Sequence, residues 1–124
     1  MKKCLLSLLS AGVMVASCSQ PQAENPLLVE WDTPYGIPDF GSIEEKHYIP
    51  AIKAGIQQQE AEIAAIVENT EAPTYANVVE AYERSGAILD RVANVLFNIS
   101  ESDATESLQS IVAEALPLIK RFYN

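Results

Sequence analysis

The chain has 124 residues, with eight Lys and Arg against seventeen Asp and Glu for a formal charge of −9, and a single His. A surface this acidic repels phosphate, which disfavours a nucleic-acid partner, and the length leaves room for one small domain at most.

The first eighteen residues read as a leader. Lys2 and Lys3 form a positive start, and Leu5 to Ala16 form an apolar run of twelve residues. A bilayer core needs about 20 residues as a helix, so the run is too short to span and fits a signal-peptide h-region. Val15-Ala16-Ser17-Cys18 resembles the lipobox of bacterial lipoproteins. That resemblance implies cleavage after residue 17, lipid on Cys18, and a membrane-anchored place in the bacterial cell envelope, periplasmic or outer-membrane. Ser19, rather than an aspartate, after the cysteine favours the outer membrane. Removing 1–17 takes away two basic residues and no acidic ones, leaving six against seventeen. The remainder would not bind an anionic bilayer by charge, so Cys18 is the membrane contact expected. Cys4 leaves with the leader and Cys18 is acylated, so no disulfide is expected.

Residues 18–24 are short and polar and read as a lipidated tether. Residues 25–41 carry Pro26, Pro34, Gly36 and Pro38, which exclude a regular helix. They also hold Leu27, Leu28, Trp31, Tyr35, Ile37 and Phe40, more large apolar groups than a solvated linker tolerates. The stretch is either an extended arm that packs on another surface or a loop that covers the chain's own helices.

Three amphipathic helices follow over residues 42–124, an all-α reading with no strand. Ser42 and Glu45 have capping-box spacing. Pro50 fits only a first helical turn, which places the regular helix from near His47, after a short turn over 43–46. Ile49, Ile52, Ile56, Gln59, Ile63 and Ile66 mark its face. The second helix is predicted from Tyr75 to Asn98 with Thr74 as N-cap. Its seam of Val78, Tyr82, Ser85, Leu89, Val92, Leu96 and Ile99 keeps its phase through Gly86. That glycine is therefore read as tolerated inside the helix, at a cost of about 1 kcal/mol relative to alanine, and as allowing close approach of a neighbour. Residues 100–103 read as a turn. Ser102 and Thr105 compete as N-cap of the third helix, whose face is Leu108, Ile111, Val112, Ala115, Leu116, Ile119, Phe122 and Tyr123, with a kink expected at Pro117.

The chain is poor in chemistry. A catalytic zinc site usually takes three protein ligands, and no H-E-x-x-H motif is present to supply a histidine pair. Cys18 is spent on lipid, so no Cys/His pair exists. A serine triad would have to use His47 beside a proline, with no G-x-S-x-G turn. Glu60, Glu62 and Glu68 read as a solvated helix face. No catalytic and no metal residue is expected in this chain.

Four separated blocks nevertheless have a specific look. They are NPLL…W-x-T-P-Y-G-x-P-x-F from Asn25, I-x-x-x-H-Y-x-P-A from Ile43, E-A-P-T-Y-x-N-x-V from Glu71, and E-R-S-G…L-x-R-V…F-N from Glu83. In this order they closely resemble the N-terminal region of the peptidyl-dipeptidase (dipeptidyl carboxypeptidase) branch of the thimet-oligopeptidase family of zinc metallopeptidases. Glu114 to Tyr123 is similar to the next helix of that family. The resemblance implies a parent several hundred residues long and almost wholly helical, with two lobes around a channel that admits oligopeptides. Zinc in such a parent is held by the histidines of H-E-x-x-H and a downstream glutamate. None of those positions exists here, so the resemblance implies an N-terminal fragment that binds no zinc and is inactive alone. It gives the arm a reason, since Trp31, Tyr35 and Phe40 would pack on other parts of such an enzyme. It leaves His47 a structural role near a helix start. The alternative is a free-standing lipid-anchored helical binding module.

Overall fold

The computed structural model describes residues 24–123. The leader at 1–17, Cys18 and the tether up to residue 23 lie outside the described residues. Within them the chain is all-α, without a strand. Helix α1 spans Tyr48–Val67, α2 Ala81–Arg84, α3 Ala87–Ser102 and α4 Glu106–Tyr123. A π-helical turn, Tyr75–Glu80, runs directly into α2. Short 3-10 turns lie at Pro34–Gly36 and Glu45–His47. Helices α1, α3 and α4 pack on one another as a three-helix bundle.

The start of α1 follows from Pro50, which sits in its first turn, where its missing amide hydrogen costs nothing. The cap is not the Ser42 box that the spacing suggested. Glu44 takes the N-cap of the preceding turn, and its backbone N–H donates to His47 Nδ1 at 2.9 Å. Ser42 Oγ donates instead to the Asp39 carbonyl.

The face that α1 buries is shifted from the isoleucine seam. Tyr48, Ala51, Ile52, Gly55 and Gln59 are buried, while Ile49, Ile56, Ile63 and Ile66 are half-buried along the edges. Small residues explain the shift. An ideal Cβ built on Gly55 would lie 2.9 Å from the Cα of Leu89, so α3 comes closest to α1 where α1 has no side chain. Leu89, Val92 and Leu96 of α3 are fully buried there with Ile52, and Leu27 closes the core from the arm.

The second predicted helix is two segments. Ser85 is extended, at φ −68° and ψ 143°, and Gly86 is left-handed at φ 81°. The continuous seam misleads because its first half never enters the core. Val78 is 39 % exposed and Tyr82 60 %, so no burial favours continuity there. Gly86 is buried, and a Cβ on it would stand 2.4 Å from the Gln59 side chain. Thr74 caps the first segment as expected, in a reciprocal pair with Asn77.

Helix α3 also runs past Asn98 to Ser102, through residues that read as a turn. Ser100 and Ser102 donate their hydroxyls back to the carbonyls of Phe97 and Asn98, which lets serines sit in a last helical turn. Thr105 wins the cap of α4, its Oγ1 accepting from the Leu108 N–H at 3.2 Å. Helix α4 buries Leu108 and Ala115 and half-buries Ile111, Val112, Ile119 and Phe122. Leu116 and Tyr123, read as part of that face, are exposed. Pro117 lies inside α4 on its exposed side and does not end it.

The arm divides. Asn25 Nδ2 donates to the His47 carbonyl at 2.8 Å, and Leu27 is completely buried. Trp31 Nε1 donates to the Pro26 carbonyl, and the Arg91 guanidinium stacks over the indole at 4.7 Å while donating to the Leu27 carbonyl. This half covers the chain's own helices. The second half does not: Tyr35 is 98 % exposed, and Ile37 and Phe40 are about half exposed.

Candidate functional site

Two clefts open on the described surface. The larger, about 760 Å³, lies where the arm crosses the start of α1 and is lined by Asn25, Pro26, Leu28, Glu44, Lys46 and His47 among others. The smaller, about 360 Å³, lies between the C-terminal half of α1 and the π-helical segment. Its lining includes Glu62, Ala65, Ile66, Asn69, Asn77 and Ala81.

The larger cleft holds the only histidine of the sequence, but no reactive pair. His47 Nδ1 accepts the Glu44 amide hydrogen, so the neutral ring carries its proton on Nε2. The role is structural: the imidazole closes the turn that feeds α1, as the sequence suggested. Ser42 is turned to a backbone carbonyl and has no base beside it. Lys46 Nζ contacts both carboxylate oxygens of Glu44, at 2.8 and 2.9 Å, and holds that carboxyl below its ordinary pKa. This exposed pair is a surface ion pair of little energetic weight. A nucleophile, a base and an oriented third group do not come together.

Glu62 departs from the solvated-face reading that Glu60 and Glu68 fit. It is half-buried, its Oε2 accepts from the Gly86 N–H at 2.8 Å, and its Oε1 accepts from Gln58 at 3.0 Å. Sequence periodicity puts it on an outer face of α1 and gives no hint of Gly86. The left-handed glycine that brings an unpaired amide to α1 creates the contact. Arg91 was equally invisible beyond its place in the L-x-R-V block.

Among the described residues, no three His, Cys, Asp or Glu side chains gather into a metal-holding group. No helix among them is long and apolar enough to cross a membrane. Cys18, the predicted lipid site, lies outside the described residues.

The described residues thus define an all-α segment with a packed bundle and no assembled catalytic centre, and comparison with known proteins shows what it is a segment of. No family model matches the chain. Over 87 residues it is 41 % identical to the dipeptidyl carboxypeptidase of Escherichia coli K12 and 40 % identical to the enzyme of the same name from Salmonella typhimurium LT2. It is 33 % identical over 98 residues to a probable cytosolic oligopeptidase A of Arabidopsis thaliana. These matches cover 70–77 % of this chain but only 13 % of each of those relatives. The chain is related to the dipeptidyl carboxypeptidases and oligopeptidases, and it spans about an eighth of their length.

Proposed function

We propose that this chain is the N-terminal portion of a zinc metallopeptidase that removes dipeptides from the C-termini of oligopeptides. The observation that carries the proposal is the 41 % identity to a dipeptidyl carboxypeptidase over 87 residues that make up 13 % of that enzyme. The exposed Tyr35, Ile37 and Phe40 fit it, because they leave half of the arm free to meet further polypeptide. Zinc would serve such a peptidase as a Lewis acid and as the source of a hydroxide nucleophile. The described residues do not form a site for it. The zinc ligands therefore belong to the rest of the parent, and this portion alone is inactive. What this portion contributes is a rigid bundle, α1 against α3 and α4, that presents the arm and the segment 75–84 on its surface.

The second part of the proposal is location. Lys2, Lys3, the apolar run and Cys18 support a lipoprotein anchored in the bacterial envelope, acting on peptides outside the cytoplasm. Cys18→Ser should abolish partitioning of the mature chain into detergent, and unchanged partitioning would remove the anchor from the account.

Sequencing the DNA beyond codon 124 tests the first part. An in-frame continuation that encodes H-E-x-x-H is the expected result. An immediate native stop codon would favour a free-standing lipid-anchored helical binding module.

A further inference from the structure

The segment from the turn after α1 to Gly86 is built differently from the bundle. Most of its side chains face solvent, with Tyr75 73 % and Tyr82 60 % exposed. It is bounded at one end by the Asn69–Thr74 turn, where Asn69 Oδ1 takes the Glu71 N–H and Asn77 Nδ2 donates to the Ala72 carbonyl. At the other end stand extended Ser85 and left-handed Gly86, the two residues where helical backbone geometry stops. Between the segment and α1 lies the smaller cleft of about 360 Å³. A single polar strut crosses this junction: the Glu62 carboxylate, held by Gln58 on its own helix, takes the Gly86 N–H at 2.8 Å.

We propose that residues 75–84 form a strap that pivots at Ser85–Gly86, and that Glu62 is the latch that holds it over α1. The bond suits a latch for two reasons. Gly86 is the N-cap residue of α3, so the carboxylate also sits at the positive end of that helix, and the attraction is charge-assisted. The strap itself adds little hold, because Asn77, Glu80 and Ala81 are half-buried and its other seven residues are exposed. Regions with few buried contacts open independently of the core, at a lower free energy than global unfolding. When the latch opens, the Gly86 pivot swings the strap and the cleft floor at Ala65 and Ile66 becomes accessible. The bundle is unaffected, because its closest contact, Gly55 against Leu89, lies elsewhere on α1.

Amide hydrogen exchange on the chain, compared with Glu62→Ala and Glu62→Gln, tests this. In Glu62→Ala, amides of residues 75–84 should exchange about tenfold faster, the factor expected for one lost charge-assisted hydrogen bond. Amides of Ile52–Gly55 and Val92–Leu96 should keep their rates. Glu62→Gln retains an acceptor of the same shape without the charge, and its acceleration should be local and smaller. Equal acceleration in strap and bundle, loss of the folded bundle in Glu62→Ala, or no acceleration at 75–84 in either variant would each overturn the latch.

Discussion

Gly55 of α1 and Leu89 of α3 meet backbone to backbone: a methyl group on residue 55 would stand 2.9 Å from the Leu89 Cα and 3.1 Å from its Cβ. Neither atom can swing aside, so the two helices would have to separate. Overpacking of this kind costs about 1–3 kcal/mol, and the better helix propensity of alanine offsets at most about 1 kcal/mol. Gly55→Ala should therefore lower the urea midpoint of the chain. A midpoint equal to or above that of the unaltered chain would show that the contact is not tight.

Gly86 should be sensitive for a different reason. Its φ of 81° disfavours any side chain, and an added Cβ meets the Gln59 carboxamide at 2.4 Å. Gly86→Ala should destabilise by about 1–2 kcal/mol from backbone strain alone, with a further steric contribution from Gln59. Because Gln59 is flexible, that second part should vanish in a Gln59→Ala background. A double-mutant cycle of denaturation midpoints measures the difference. Strictly additive effects would mean that Gln59 and Gly86 do not meet.

Arg91 is the pin that holds the arm. Its guanidinium lies 4.7 Å from the Trp31 ring centroid and 3.1 Å from the Leu27 carbonyl. Arg91→Ala should cost about 1–2 kcal/mol and loosen residues 25–31 from the bundle. Acrylamide quenching reads this directly, since Trp31 is the one tryptophan of the sequence. Stronger quenching is expected, whereas an unchanged quenching constant would show that Leu27 alone anchors the arm.

Tyr48 gives the fold an alkaline limit. Burial, and then the nearby Glu45 carboxylate, raise its hydroxyl above the ordinary pKa of 10.0. In the unfolded chain the phenol ionises near 10, while in the folded chain it stays neutral to higher pH. The unfolded state then binds fewer protons, and stability falls as pH rises above about 10. Below that pH both states hold the proton and the group makes no difference. Tyr48→Phe should flatten this alkaline loss in melts recorded from pH 9 to 11. An identical pH dependence in both proteins would assign the loss to other groups.

The legible parts of the fold were those set by local chemistry. Pro50 fixes where α1 begins, Thr74 and Thr105 cap their helices, and the 3.6-residue spacing of Leu89, Val92 and Leu96 marks the buried face of α3. Failures came where one helix dictates to another. The isoleucines of α1 outbid Ala51 and Gly55 on hydrophobicity, yet the small residues take the centre, because only they let α3 approach. The seam through Gly86 was continuous on paper, but Gln59 and Glu62 of a different helix decide that the chain turns there. The arm could not be settled from sequence because both readings hold, one for Leu27 and Trp31 and the other for Tyr35 and Phe40. Of the site, His47 was legible as a structural residue through its place at a helix start. Glu62 was not, because its partner is a backbone amide with no side chain to read.

The central claim is that this chain does the work of the corresponding part of a dipeptidyl carboxypeptidase. The most direct measurement replaces the matching 87 residues of the Escherichia coli enzyme with those of this chain and assays dipeptide release from the C-terminus of an oligopeptide. The account predicts a folded chimera that retains activity within about tenfold of the parent, since a supporting bundle remote from the zinc should shift catalysis by no more than a small misplacement does. A soluble chimera with native-like helical content and tightly bound zinc, yet no dipeptide release, would contradict it.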